Sequence, residues 1–392
     1  MSEINSSNFK KEHGDLAPDL VGVTELTSPI YFVPPSGTTA ERPSDCEPGT
    51  LRFNTDIGSL EVFRGKTIGW EHILRRDGQY LGGSSTQSAG SNKGTGTRGL
   101  YFGGSGPSSP SGRTQIDFLT ISTLGDSKDF GDLATQVHNG PAGMGSRVRG
   151  NCVGGSSPST LNDIQTVIFS STGNATDYGT IGNGSRKEHG GFSNNIRGVV
   201  GGGGHTTMDF YDMASGGTTQ DFGDITQSEQ NGGLCSTTRG VFCISVTVPA
   251  YARSNAMEFV TIMTKGNTTD FGDLTVPRYG AGTHANATRG IFVTGYQAPQ
   301  NTISNHVDFI TIATTGNAID FGDRSVQSYS CLGGGMASKT RAVQAGGHQH
   351  PNPSINVIDY VEFATTGNFN DFGDLTEGLA AGGACSNGHG GL

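Results

Sequence analysis

Much of what helical, membrane-spanning and disulfide-stabilised proteins are built from is scarce in this chain. Trp occurs once, and hydrophobic residues make up only 32% of 392. Leu, Ala, Glu and Lys are too sparse for a helical protein of this size. No stretch approaches the ~18 apolar residues of a membrane-spanning helix, so membrane insertion is not expected. The opening MSEINSSNFKKEHGD lacks an apolar core and does not read as a secretory signal. The six cysteines (Cys46, Cys152, Cys235, Cys243, Cys331, Cys385) contain no CxxC pair. That argues against zinc knuckles and redox motifs and favours buried thiols made in a reducing cytoplasm. A net charge of −10 argues against nucleic acid or anionic membrane as a partner.

Glycine is abundant, at 64 residues, and 20 Phe and 10 Tyr recur inside short β-branched runs. Disordered chains lack such regular apolar segments, so the composition predicts a turn-dense all-β fold.

A repeat organises the chain. Its signature is Asp129-Phe130-Gly-Asp, followed by Asp177-Tyr178, Asp221-Phe222, Asp270-Phe271, Asp320-Phe321 and Asp371-Phe372, spaced 48, 44, 49, 50 and 51 positions apart. A second marker keeps step: Arg98, Arg149, Arg197, Arg239, Arg289 and Arg341, each followed by Gly or Ala and a short apolar run. One unit parses into four strands: A (Gly280–Asn286), B (Gly290–Tyr296), C (Val307–Ala313) and D (Ala318–Asp323). The C–D turn is a Thr-Gly-Asn type, in which Gly and Asn are expected to adopt positive φ. The aromatic of each DFG unit is expected to wedge between adjacent sheets. The repeated Asp and Arg are expected to form hydrogen-bonded ties to loop backbone or to each other.

Four antiparallel strands in ~45–50 residues, with glycine crowded into the first, is the arithmetic of propeller blades. The Gly pair after strand B and the aromatic strand C resemble Kelch repeats over residues 80–392, with Phe or Tyr of the DFG unit replacing the usual fourth-strand Trp. The resemblance implies a six-bladed Kelch-like β-propeller (residues 79–392). The spacing further predicts that Gly382–Leu392 supplies strand A of the first unit, against Thr97–Gly104, closing the open edges.

Ahead of the repeats, residues 1–26 are expected to be a flexible or partner-dependent attachment segment, and 27–78 to form a small β module. Leu51–Leu74 reads as a three-stranded meander with turns at Asp56–Ser59 and Arg64–Lys66. A sheet this small is marginal alone. The string GTTAERP…GTLRFNTDIGSLEVFRG…W resembles a short module widespread in phage tail-fibre and related virion proteins. It implies a virion structural component (tail fibre, baseplate or surface appendage) made in the host bacterial cytoplasm. It also implies contacts to other virion proteins, and the marginal sheet is expected either to pack on the repeats or to self-associate as a homo-oligomer, a trimer favoured.

Several motifs have bland readings. The DFG signature lacks the phosphate loop, lysine strand and HRD segment of a kinase. Gly201–Gly204 sits in strand B with no following helix, unlike a phosphate loop. His348-Gln349-His350 lacks an identifiable third ligand and reads as a polar loop, so neither metal nor cofactor is expected. Sialidase boxes and a nucleophile–base arrangement are missing, so catalysis is unsupported. The B–C loops are long and differ between units, which marks them as the recognition surface. The candidate binding residues are Tyr251, Arg253, Tyr296, Gln297, His306, His348 and His350, for host-surface glycan or protein. The rival functions are a purely structural decoration or assembly protein and a polysaccharide-processing enzyme.

Overall fold

In a computed structural model of the chain, residues 34–56, 59–66, 69–72, 97–107, 110–299, 302–330, 335–349 and 354–392 are described. The chain divides into two compact units, Met1–Ala89 and Gly90–Leu392. Both are β-structures: a single 3-10 turn, Thr39–Glu41, is the one helical element among the described residues.

The N-terminal unit contains the expected meander, Leu51–Asn54, Ser59–Phe63 and Trp70–His72, all antiparallel. The sequence did not reveal a fourth strand, Ser36–Gly37, which pairs parallel to Leu51–Asn54. The burial of this sheet is inverted. Glu61 is buried between Arg42 and Arg52, with Asn54 donating to it. Leu51 (46% exposed) and Leu60 (39%) stand on the opposite face. Each pair across the strands shares a face, so Leu51, Phe53, Leu60 and Val62 form one apolar side.

In the second unit, six sheets contain the repeated strands in the order A-B-C-D, all antiparallel. The first sheet takes strand A from the far end of the sequence: Gly383–Ser386 pairs with Gly99–Phe102, within the expected segments. The expected strand is longer than the observed one. After Ser386 the chain leaves the sheet and crosses other A strands. His389 Nε2 meets Gly145 O at 2.8 Å, and Gly390 N donates to Ala285 O. A Cβ on Gly391 would stand 2.0 Å from Ser193 O, which is why glycine is required there.

Adjacent sheets share hydrophobic clusters. Each of six clusters draws on two sheets consecutive in sequence, except one that joins the sixth to the first through Phe372, Met336, Tyr101 and Ala384. The DFG aromatic belongs to each cluster, as a buried Phe in five and as half-buried Tyr178 in the other. It meets the strand C aromatic of its own sheet edge to face in five cases, as in Phe259–Phe271.

Strand D of one sheet is clasped by the C–D turn of the next. Gly173 N donates to Phe130 O and Ala175 N to Asp132 O, both at 2.7 Å, while Asp132 N donates to Asn174 Oδ1 at 3.0 Å. The same triplet joins the third to the fourth, the fourth to the fifth and the fifth to the sixth sheet. Between the sixth and the first, Gly125 N and Ser127 N donate to Phe372 O and Asp374 O, and Asp126 takes the Asn role. The second sheet, where Thr180 replaces the second Asp, uses another bond: Gly182 N to Thr219 Oγ1. A Cβ on the DFG glycine would lie 2.1–2.5 Å from the backbone of a turn glycine of the next sheet at all six junctions.

Two sequence expectations need correction. The turn Asn residues do not adopt positive φ; only the glycines do, and the Asn side chain serves as an acceptor instead. The DFG aspartates tie the sheets through backbone N–H and C=O, leaving their carboxylates largely outward, and do not pair with the repeated arginines. Those arginines do tie to loop backbone, as expected, each bonding the carbonyl of the turn residue just after strand C of the next sheet: Arg98 to Phe169, Arg197 to Ile262, Arg239 to Ile312, Arg289 to Phe363 and Arg341 to Ile121. Where Arg149 would do so, Tyr178 Oη donates to Met213 O instead. All six guanidinium groups lie over an aromatic ring of their own sheet, 4.3–5.1 Å from its centre.

Gly272→Ala places a Cβ 2.5 Å from Gly316 at φ +132°, so it should cost about 2 kcal/mol or more. Asn317→Ala removes one hydrogen bond at the same junction and should cost about 1 kcal/mol. Denaturant unfolding measures both; equal effects would contradict the close-approach account. Removing Gly382–Leu392 should abolish cooperative unfolding, and an unchanged melting curve would contradict edge closure.

Candidate binding site

The B–C connections expected to be loops are partly β-structure. In the fourth repeat, Val246–Thr247 pairs with Ala252–Arg253 and with Ser228–Glu229, making a small three-stranded ribbon apart from the fourth sheet. In the fifth, strand B runs Arg289–Gln297 and strand C Thr302–Thr311, so most of the expected Gln297–His306 loop is hairpin. These extensions bring residues from two repeats together.

Tyr251 sits at the ribbon turn with φ +50°, a left-handed conformation unusual for a bulky residue, and is 67% exposed. Two residues on, Arg253 folds back. Its guanidinium lies 4.8 Å from the Tyr296 ring and 5.3 Å from that of Tyr279, and donates to Gln297 O at 3.1 Å. Tyr279 is opposite Tyr296 in a short strand pair, and the rings stack at 5.3 Å with an interplanar angle of 20°. Tyr329 meets both edge-on, and His348 packs on Tyr329 at 5.7 Å. Beside this cluster is an open cleft of about 560 Å³, lined by Tyr251, Arg253, Val276, Pro277, Ala298 and Pro299.

Of the candidates from sequence, the structure therefore unites Tyr251, Arg253, Tyr296 and Gln297. The Gln297 side chain points elsewhere, donating to Ser304 Oγ at 2.8 Å. His348 joins only through Tyr329. His306 is set apart in strand C, not in a loop, with Nε2 2.9 Å from Asp308 Oδ1 and 3.0 Å from Thr275 Oγ1. His350 lies outside the described residues.

Tyr279, Tyr329 and Pro277 were missed. A signal was present: tyrosine occurs just before strand A in two successive units, Arg278-Tyr279-Gly and Ser328-Tyr329-Ser. The buried ion pairs were missed too. Asp209, Asp308 and Asp359, all on strand C, pair with fully buried Arg186, Arg278 and Arg324 at 2.5–2.9 Å, and Arg113 pairs with Asp117 in the first sheet. Arg278 thereby anchors the segment that carries Tyr279.

Burial opposes ionisation of Asp308, but the hydrogen bond from His306 and the charge of Arg278 outweigh it and lower its pKa. The same hydrogen bond raises that of His306. Elsewhere burial lowers histidine: His189 to about 3, and His284 and His389 to about 4. Among the described residues no group of three or more His, Cys, Asp or Glu side chains could hold a metal ion. The Cys235 and Cys243 thiols are pushed up by burial, to about 12 and about 11, which suits inert packing; Cys46, by contrast, is half-exposed.

No known protein-family model matches the chain, and no curated protein resembles it closely enough to count as a relative.

The histidines should titrate in opposite senses. His306, raised, contributes stability that is fully present below ~6.5 and lost as pH rises through its folded value. His189, His284 and His389, lowered, contribute stability that is lost as pH falls below ~6.5 toward their folded values. Imidazole NMR should show His306 with a midpoint above 6.5, lowered in Asp308→Asn, and the other three neutral at pH 5. A His306 midpoint at or below 6.5 would contradict the geometry.

Proposed function

We propose that Gly90–Leu392 is a six-bladed Kelch-like β-propeller acting as a non-enzymatic recognition part of a bacteriophage particle. The six glycine-to-glycine junctions, the last of them joining the sixth sheet to the first, support the ring. One closed circuit also accounts for the far end of the sequence completing the first sheet. In such a ring the B–C connections share one end, where variable surface on a repeated scaffold is suited to binding. The observation that carries the recognition role is the stacking of Arg253 on Tyr296, from two repeats, beside an open cleft that Arg253 and Tyr251 line.

The phage attribution rests on the likeness of Gly37–Trp70 to virion modules. The N-terminal sheet fits attachment or self-association, because its apolar side, Leu51, Phe53, Leu60 and Val62, keeps two leucines in water. In this reading the module holds the chain to other virion proteins as a homo-oligomer, a trimer favoured, and the propeller faces the host.

Antibody against the chain should decorate particles in electron micrographs, and fluorescent chain should bind host cells saturably. Particle labelling without cell binding would make it a decoration protein; neither would sink the proposal. Leu51→Glu with Leu60→Glu should lower the solution mass measured by light scattering, and a monomeric wild type would contradict self-association.

A further inference from the structure

We propose that the cleft beside Tyr251 binds a saccharide carrying a carboxylate, a uronic acid unit. The inference rests on the recognition role above and specifies its ligand. Three features of the cleft select this chemistry. First, its lining is mostly apolar and rich in rings: Tyr251, Pro277 and Pro299, with Val276 and Ala298. A pyranose has one face of C–H bonds, and the negative face of an aromatic ring attracts such polarised hydrogens. Second, the cleft is open. Drug-like and cofactor ligands are largely enclosed, whereas a sugar stacked on a shallow wall keeps its hydroxyl rim in water.

Third, Arg253 is the one charged side chain in the lining among the described residues. Its charge is permanent. Stacking against Tyr279 and Tyr296 and the bond to Gln297 O fix the guanidinium plane, so little side-chain entropy is lost when an anion arrives. A local positive group on a chain of net charge −10 favours a ligand whose negative charge is confined to one point. A uronate carboxylate projects from the ring edge and can meet the guanidinium while the ring stacks on Tyr251. The strained backbone of Tyr251 has no packing role to explain it, since the ring is the most exposed large apolar side chain among the described residues.

The full chain is titrated with methyl β-glucuronide and with its uncharged counterpart, methyl β-glucoside, followed by NMR of the tyrosine rings. The glucuronide should bind about tenfold more tightly or better. Tyr251→Ala should weaken both sugars by a similar factor, without changing the melting temperature. Arg253→Gln should erase the preference, and Arg253→Lys should restore part of it. Equal affinity of the two sugars for the wild type would overturn the acidic-sugar assignment and leave the recognition role standing. No perturbation of Tyr251 by either sugar, in a chain that still binds host cells, would overturn the cleft as the site. Loss of both sugar and cell binding would overturn the underlying reading.

Discussion

The second unit depends on how closely two backbones can approach. At every junction between sheets a DFG glycine faces a turn glycine of the next sheet, with no room for a side-chain carbon. In five of the six junctions that approach lets the turn donate two N–H groups to strand D and accept one back. Strand D would otherwise be an open edge with unpaired backbone groups, a template for pairing with another chain. The clasp satisfies that edge, and the outward carboxylates around the glycine, two in five sheets and Asp177 alone in the second, discourage whatever pairing remains. Inside the clasp the DFG aromatic fills the space between sheets, and the arginine ties strand B to the following strand C. One short motif thus acts on three neighbours.

The architecture was legible because the repeat imposes the same contact six times. The recurrence of the DFG and arginine markers every 44–51 positions indicated the number of sheets, the strand order and the missing strand A at the far end of the chain. The roles inside the motif were less legible. Asn174, Asn267, Asn317 and Asn368 look like turn residues chosen for positive φ, yet they act as acceptors, because glycine alone takes the left-handed conformation there. The DFG aspartates look like partners for arginine, yet their backbone does the tying. Sequence spacing reports which positions recur; it does not report which atom of a residue is used. Asp126 standing in for asparagine at the last junction makes the same point, since either side chain presents the oxygen the bond requires.

The candidate site was only partly legible for a different reason. Loop variability flagged Tyr251, Arg253, Tyr296 and Gln297, and these do meet. His306 was assigned to a loop but lies in a strand, since the fifth hairpin extends further than its alternation of residues indicated. Tyr279 and Tyr329 belong to the D–A connections rather than to the variable B–C loops, and both precede strand A. The buried arginines were invisible to pattern reading because they sit at different places in the repeat, Arg113 in strand C, Arg324 in strand D and Arg186 and Arg278 between D and A, while only their aspartate partners hold a fixed position on strand C. Two of these pairs, Arg278–Asp308 and Arg324–Asp359, anchor the segments that carry Tyr279 and Tyr329.

Closure of the last sheet onto the first is the central claim, and native-state hydrogen exchange tests it most directly. The amides of Gly125 and Ser127 donate to Phe372 and Asp374 only if the circuit is closed. The account predicts that they exchange as slowly as those of Gly266 and Thr268, which make the equivalent bonds between the third and fourth sheets. Exchange of Gly125 and Ser127 at the rate of an unprotected turn, with Gly266 and Thr268 protected, would contradict it.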